Sequence, residues 1–168
     1  FYYDYANRNP ERLCAEFILA ARTRGAQALN YTLATNITRE GDVYLVQLVD
    51  TLRGTRRQVR TRSLVNACGP WADLLDQQMH ARSEHHLVRS KGIHIVTRRI
   101  AGDQTIILIR PNGSHMFIIP FHGRSLIGTT DTIYKDHPDN FTVSRSDIQE
   151  LMADTNRLYP SANLKTDD

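Results

Sequence analysis

The sequence has few cysteines and no long apolar run, and both features limit what the protein can be. Cys14 and Cys68 are the only two cysteines among 168 residues, and their spacing fits neither a disulfide framework nor a zinc site. This usage favours a reducing, cytosolic setting. No stretch approaches the roughly 18 uninterrupted apolar residues that a spanning helix requires. We therefore expect no transmembrane helix.

The residues at the two ends of the chain indicate whether it is a whole protein. Residues 1–5 contain neither the basic region nor the apolar region of a signal peptide, and they do not begin with Met. Residues 163–168 are polar and show no pattern of a closing helix or strand. We therefore expect an internal piece of a longer protein.

Composition and charge indicate a soluble globular domain. Hydrophobic residues make up 40% of the chain and charged residues 23%, which is typical of a folded protein rather than a disordered one. The net charge of +3 accompanies a cluster of arginines at 53, 56, 57, 60 and 62. Such a cluster can bind nucleic acid or an anionic membrane. Because these arginines alternate with Val59 and Thr61, we interpret them as a solvated strand face and expect no nucleic-acid partner.

The first half of the chain predicts a helix followed by strands. Asn-Pro-Glu at 9–11 resembles a helix start, and apolar residues then recur at helical spacing, so we expect a helix over 10–24. Residues 28–35 are expected to form a short buried strand packed under that helix. Residues 36–62 predict a three-stranded antiparallel meander.

The second half predicts a glycine turn, a helix and an antiparallel sheet. Residues 63–67 are expected to form a brief strand that leads through the turn into a helix beginning near Trp71. A capped helix is expected to begin near Ser144 or Ser146. Further strands are expected at 92–97, 105–109, 115–121 and 125–129. The fold class predicted is therefore mixed α+β, with helices flanking an antiparallel sheet.

Two short segments have the chemistry to meet a ligand. Between Val65 and Trp71, a strand, a glycine turn and a helix start would present backbone N–H groups to a phosphate or pyrophosphate. The alternative is that the glycine only permits close packing. At Lys91 to His94, a cation and an imidazole near a strand start suit general-base chemistry on an alcohol that carries an anionic group. The alternative is that His94 is a hydrogen-bonded core residue.

The remaining polar candidates favour structural roles. Residues 128–132 place hydroxyl groups and a carboxylate at a strand end, where they can bind a polar ligand or cap a turn, and we favour the turn. His80, His85 and His86 lie in a polar loop without a matching carboxylate or cysteine pattern. We therefore predict no metal site.

Seven short segments in a fixed order carry more information than any one of them. They are Tyr2-Tyr3-Asp4, Arg24-Gly25-Ala26, Asn30-Tyr31-Thr32, Val65-Asn66-Ala67-Cys68-Gly69-Pro70-Trp71-Ala72, Lys91-Gly92-Ile93-His94-Ile95-Val96, Phe117-Ile118-Ile119-Pro120-Phe121 and Gly128-Thr129-Thr130-Asp131. The series spans essentially the whole chain and resembles FAD-dependent glycerol-3-phosphate dehydrogenases of the respiratory type. Those proteins belong to the D-amino-acid-oxidase-like flavoproteins, which have a Rossmann-type FAD domain and a substrate domain built on an antiparallel sheet.

The resemblance also defines what the chain lacks. The family opens with a G-x-G-x-x-G dinucleotide fingerprint, and no such pattern occurs here. The family's later Arg-Pro and Gly-Gly-Lys segments would follow Asp168. We therefore expect a single-domain fragment in which residues 1–75 form the end of the FAD-binding region with the meander. Residues 76–168 would then form the substrate-binding antiparallel sheet region.

By resemblance, the chain supplies contacts to both FAD and substrate. The strand around Ala34 and Thr35 is expected to meet the adenosine end of FAD through its backbone, and the glycine turn to approach the adenosine-diphosphate part. Cys68 stands where relatives often have Thr, which loses a hydroxyl but keeps the backbone contacts. The expected cofactor contacts are Ala34, Thr35, Ala67, Cys68, Gly69, Trp71 and Gly92. The expected substrate contacts are Lys91, His94 and Thr130.

The resemblance implies a reaction and a location for the whole protein. The reaction is oxidation of sn-glycerol 3-phosphate to dihydroxyacetone phosphate, with hydride passing to FAD and electrons to a membrane quinone. His94 matches the family histidine that removes the hydroxyl proton. The implied location is cytoplasmic, peripheral to the inner face of the cell membrane, and a homo-oligomer is compatible with the sequence. The fragment alone is expected to be inactive.

Two alternatives remain open. One is another flavin oxidase of the same group, which acts on an amino acid or uses oxygen; the Lys91 to His94 run and residues 128–131 argue against the amino-acid version. The other is a non-catalytic interaction domain that merely shares the sheet. A G-x-G-x-x-G segment encoded upstream would support the dehydrogenase.

Overall fold

The computed structural model describes residue 7 and residues 9–79 and 87–168. The chain divides into two compact units, unit 1 (residues 1–85) and unit 2 (residues 86–168). The Tyr2-Tyr3-Asp4 segment and the histidines at 80, 85 and 86 lie outside the described residues. Every helix within the described ranges is too short or too polar to span a membrane.

The described part of unit 1 contains two helices and a three-stranded antiparallel sheet. The helices are α1 (Pro10–Thr23) and α2 (Ala72–Gln78), and the strands, which pair in chain order, are β1 (Thr32–Glu40), β2 (Val43–Asp50) and β3 (Arg56–Thr61). The predictions of the helix over 10–24 and of the meander are confirmed. Proline suits the first turn of α1 because its missing N–H has no partner there in any helix.

The predicted buried strand at 28–35 is wrong in extent and in burial. β1 begins later, at Thr32, and continues to Glu40. A bulge between Ala34 and Asn36 interrupts the alternation of side chains along β1, so the sequence pattern resembles two separate strands. Leu33 is exposed, and so is the apolar face of α1, where Phe17 has 69% of its surface accessible. The predicted packing of this strand under α1 is wrong, because α1 has no buried residue.

The predicted strand at 63–67 is also wrong. These residues form no strand, and Val65 is 86% exposed. The Asn66 side chain explains the irregular path, because its Nδ2 donates to the Ala72 carbonyl at 2.7 Å and to Asp76 Oδ1 at 2.8 Å. An amide that binds the following helix holds the segment against α2 rather than along the sheet.

The described part of unit 2 is built on a four-stranded antiparallel sheet. Its strands are β5 (His94–Thr97), β6 (Ile106–Ile109), β7 (His115–Phe121) and β8 (Arg124–Gly128), in the spatial order β5-β8-β7-β6. A short ribbon pairs β4 (Arg89–Lys91) with β9 (Thr132–Tyr134), and α3 is Arg145–Leu158. The predicted fold class is confirmed. The ribbon was not predicted, because strands of three residues are too short to show an alternation.

Helix α3 covers one face of this sheet. It begins at the predicted position, with Ser144 as N-cap and Asp147 completing a capping box. Leu151 belongs to a buried cluster that includes Met116, Ile118 and Ile127 on the sheet. Because strand side chains alternate between faces, the residues next to these isoleucines along a strand, and the partners of those residues across the ladder, lie on the opposite face. His94 is one of them.

Candidate functional site

His94 lies at the start of β5, on the sheet face opposite α3, and is exposed. Its partner across the ladder is Gly128 on β8. A Cβ on Gly128 would lie only 2.5 Å from Cδ2 and 2.8 Å from Cγ of the imidazole. The ring therefore occupies the space that the glycine leaves open. Among the described residues, His94 has no side-chain hydrogen-bond partner, so its nitrogens are available to a ligand.

Gly92 and Thr130 hold the segment before His94 against the segment after β8. The space beside the Gly92 Cα is filled by Thr129 and by the Thr130 carbonyl, which would lie 2.8 Å from an added Cβ. The Thr130 hydroxyl accepts a hydrogen bond from the Ile93 N–H at 3.0 Å. The close approach expected at Gly92 is thus made by this chain's own Thr129 side chain and Thr130 carbonyl, and the Thr130 hydroxyl has a structural partner.

Lys91 is engaged in an ion pair. Its ammonium donates to Asp147 Oδ2 at 2.5 Å, and only 18% of the Lys91 side chain is accessible. The ammonium also lies 5.7 Å from the centre of the Phe141 ring, within cation–π range. A hydrogen bond from Lys91, followed by those from the Ser144 backbone and hydroxyl, lowers the pKa of Asp147 to about 2. Lys91 therefore ties β4 to the start of α3 while lying three residues before His94.

Arg110 is a residue of this region that sequence reasoning missed. It follows β6, its side chain is only 10% exposed, and its guanidinium donates twice to the Thr129 carbonyl, both at 3.2 Å. The Nε donates to Asp154 Oδ2 at 2.8 Å. Burial raises the pKa of Asp154, but hydrogen bonds from Arg157 and Arg110 outweigh it and leave the pKa below its ordinary value. An arginine beside a turn gives no periodic signal that marks it as buried.

In unit 1, the predicted contacts at Ala34 and Thr35 lie at the bulge of β1. Ala34 pairs with Leu48, whereas Thr35 falls outside the ladder register. The Thr35 carbonyl accepts a hydrogen bond from Gln78 Nε2 at 3.1 Å. This hydrogen bond joins the end of α2 to the bulge. It therefore links the helix that follows the predicted turn to the predicted contacts at Ala34 and Thr35.

The predicted turn at Ala67, Cys68, Gly69 and Trp71 is exposed, and its second part, Gly69–Trp71, forms a 3-10 turn leading into α2. Gly69 has a φ of +53°, a left-handed conformation that glycine adopts without strain. Asn66 Oδ1 accepts from the Cys68 N–H at 3.3 Å, and the Cys68 carbonyl accepts from the Trp71 N–H at 3.1 Å. Two of the amides expected to face a phosphate are therefore engaged within the turn.

Backbone remains accessible at both the Gly69 turn and the bulge of β1. Apart from its two chain neighbours, no described residue has an atom within 4 Å of the position that a Cβ on Gly69 would occupy, so a ligand can approach the backbone closely there. The bulge at Thr35 similarly leaves backbone outside the ladder. The chain carries no dinucleotide fingerprint that would hold the pyrophosphate.

Side chains that could ligate a metal ion are dispersed in the described ranges. Residues 7, 9–79 and 87–168 contain no group of three or more His, Cys, Asp or Glu side chains that could hold a metal ion. Cys14 and Cys68 are both free and exposed.

The chain belongs to the DAO family of FAD dependent oxidoreductases, whose pattern it matches over residues 1–167. FAD is the cofactor of that family, and the oxidoreductase class predicted from the sequence is confirmed.

Individual relatives narrow the comparison. The chain is 30% identical over 170 residues to an aerobic glycerol-3-phosphate dehydrogenase of Bacillus subtilis and 28% identical over 172 residues to one of Staphylococcus epidermidis. Each alignment covers 99% of this chain but only 31% of the relative. The glycerol-3-phosphate dehydrogenase of Bacillus halodurans, solved with FAD, superposes with a TM-score of 0.81 at 33% identity, over 94% of this chain and 32% of that one. The chain thus spans about a third of the relatives it matches.

Proposed function

We propose that this chain forms part of an FAD-dependent dehydrogenase that oxidises sn-glycerol 3-phosphate to dihydroxyacetone phosphate. Family membership and the named relatives support the proposal. The observation that carries it is the state of His94. Among the predicted substrate contacts, Lys91 and Thr130 have internal partners, whereas His94 is exposed and has none in the described part of the chain.

His94 is the base in this proposal. FAD, when bound, accepts the hydride from C2 of the substrate. The exposed imidazole takes the proton of the C2 hydroxyl, and its orientation is fixed by contact with Gly128. Removal of the hydroxyl proton as hydride leaves C2 produces a ketone, so the hydride acceptor must approach C2 while the base approaches the oxygen bonded to it.

The proposal extends to the partners of the whole protein. Electrons pass from the flavin to a membrane quinone, and the protein lies at the cytoplasmic, inner face of the cell membrane. The word "aerobic" in the relatives' names is consistent with electrons entering respiration. A homo-oligomer is part of the same proposal.

The decisive experiment uses the full-length protein loaded with FAD. Under anaerobic conditions, glycerol 3-phosphate is expected to bleach the flavin absorbance, whereas D-amino acids and glycerol are not. Reoxidation by a soluble quinone and by oxygen then distinguishes the two acceptors. Bleaching by an amino acid but not by glycerol 3-phosphate would refute the substrate assignment.

His94 is tested by replacement with alanine, with His115→Ala as a matched control. His115 is an exposed histidine on β7 of the same sheet. His94→Ala is expected to lower turnover on the order of a hundredfold to ten-thousandfold, which is the usual contribution of a positioned base. It should also remove the limb of the kcat/KM pH profile that an imidazole base produces. Flavin content should stay unchanged, and normal turnover would refute the role.

A further inference from the structure

We propose that Arg110 is a positioning residue for His94, acting through the backbone of residues 128–130; the proposal rests on the role of His94 given above. Arg110 touches neither the imidazole nor any atom assigned to the reaction. It holds the segment that the imidazole lies on. Arg110 therefore affects where the imidazole is held and takes no part in the proton transfer.

The first step is the anchoring of the Thr129 carbonyl. Two guanidinium nitrogens of Arg110 donate to this one oxygen, at 3.2 Å each. The guanidinium is itself fixed, because its Nε donates to Asp154 on α3 at 2.8 Å and the side chain is nine-tenths buried. Planar guanidinium groups hold their donors in a rigid fork, so this anchor defines both the distance and the direction of the carbonyl.

The second step passes from Thr129 to its two neighbours in sequence. Gly128 lies directly against the imidazole of His94, leaving no room for even a methyl group. Thr130 accepts a hydrogen bond from the N–H of Ile93, the residue before His94. Any shift of the Thr129 carbonyl moves both groups, so Arg110 influences the side chain and the backbone of the base together.

Charge alone does not explain the arrangement. Asp154 already has a second cationic partner, because Arg157 donates to its other carboxylate oxygen at 2.6 Å. Arg157 is about half exposed and has no contact with residues 128–130 among its described interactions. The two arginines thus share one carboxylate, but only Arg110 extends from it to the segment under His94.

The test is a double-mutant cycle in the full-length enzyme. Arg110→Lys keeps the charge but loses the fork that grips the carbonyl. It is expected to lower kcat by on the order of tenfold, because sub-ångström misplacement of a catalytic group is costly. KM should change by less than about twofold, because Arg110 makes no substrate contact. In a His94→Ala background, the same substitution should change kcat by less than about twofold.

Hydrogen exchange gives a second readout that does not depend on activity. Peptides spanning residues 91–97 and 126–132 should exchange faster in Arg110→Lys, because the Ile93 N–H loses a fixed acceptor. Arg157→Lys is the matched control and should leave exchange and kcat unchanged. If Arg110→Lys does not fold, Asp154→Asn loosens the same guanidinium from its other side and is expected to reproduce both effects.

The outcomes separate the two proposals. A tenfold loss that persists in the His94→Ala background would show that Arg110 does not act through His94 and would overturn the positioning role. So would unchanged kcat in both Arg110→Lys and Asp154→Asn. If His94→Ala itself leaves turnover normal, the proposed base is wrong, whatever hydrogen exchange shows for Arg110.

Discussion

Replacement of Gly128 by alanine tests the geometry of the site most directly. An added Cβ would lie 2.5 Å from Cδ2 of His94, whereas ordinary contacts begin at 3.4 Å, so the ring must move by about 0.9 Å. The Ile93 carbonyl, 2.8 Å from the same position, prevents the methyl group from escaping toward the backbone. The imidazole must therefore leave its place or the ladder between β5 and β8 must open.

The expected loss follows from that displacement. Moving a catalytic group by about 1 Å costs on the order of a hundredfold in rate, and overpacking of this kind typically costs about 1–3 kcal/mol in stability. We expect Gly128→Ala to show both effects in the full-length protein, by steady-state kinetics and by urea unfolding. Adding His94→Ala should restore part of the stability, because the ring is then absent while the Ile93 carbonyl remains.

Gly102→Ala is the matched control. Chain neighbours aside, the part of the chain that the structure describes has no atom within 4 Å of a Cβ at that position, and the Gly102 backbone is not in the left-handed region. This variant should match the wild type in turnover and in unfolding free energy. If Gly128→Ala behaves like Gly102→Ala, then the imidazole does not lie against Gly128, and the account of how the base is oriented fails.

Three further predictions concern other parts of the chain. Because the pKa of Asp147 is lowered to about 2, its pairing should stabilise the fold above the ordinary carboxyl pKa of 3.8 and lose that effect as the pH falls toward 2. In urea unfolding, the free energy of unfolding of Asp147→Asn should therefore not fall with pH over this range. The control Glu150→Gln, on the exposed side of α3, should keep that pH dependence. Lys91→Ala should raise KM with unchanged kcat if the ammonium holds substrate phosphate. If Lys91→Ala and Asp147→Asn instead lower kcat/KM equally, the role of Lys91 lies in its ion pair with Asp147. The isolated chain should be colourless and self-associate through the exposed face of α1, and Phe17→Glu should reduce that association in sedimentation; a yellow monomer would contradict both expectations.

Local signals in the sequence were sufficient for most of the helices and longer strands. The Asn-Pro start of α1, the capping box at Ser144 and the alternating strands of both sheets appear in the structure where the patterns indicate them. These features depend on neighbours two to four residues away, so a linear pattern contains them. The strand at Thr32 was misjudged because a bulge shifts the alternation, and nothing in residue type marks a bulge.

Contacts made over long sequence separations could not be predicted in the same way. Arg110 and Asp154 are 44 positions apart, and Lys91 and Asp147 are 56 apart. An arginine or lysine in sequence has the same appearance whether it is solvated or buried against a carboxylate. The sequence therefore identified Lys91 as a candidate ligand but had no signal for its partner on α3.

The two faces of the sheet differ in whether their polar side chains have hydrogen-bond partners. One face is packed by α3, and the polar groups at its edge, Lys91, Arg110 and Thr130, find acceptors or donors within unit 2. The other face carries His94, which lies over a glycine and makes no side-chain hydrogen bond within the described residues. A polar group that is exposed, closely supported and internally unpaired has no evident role in folding. Its support by Gly128 and the Arg110 anchor is explained if the imidazole must be held in place for a ligand supplied from outside the unit.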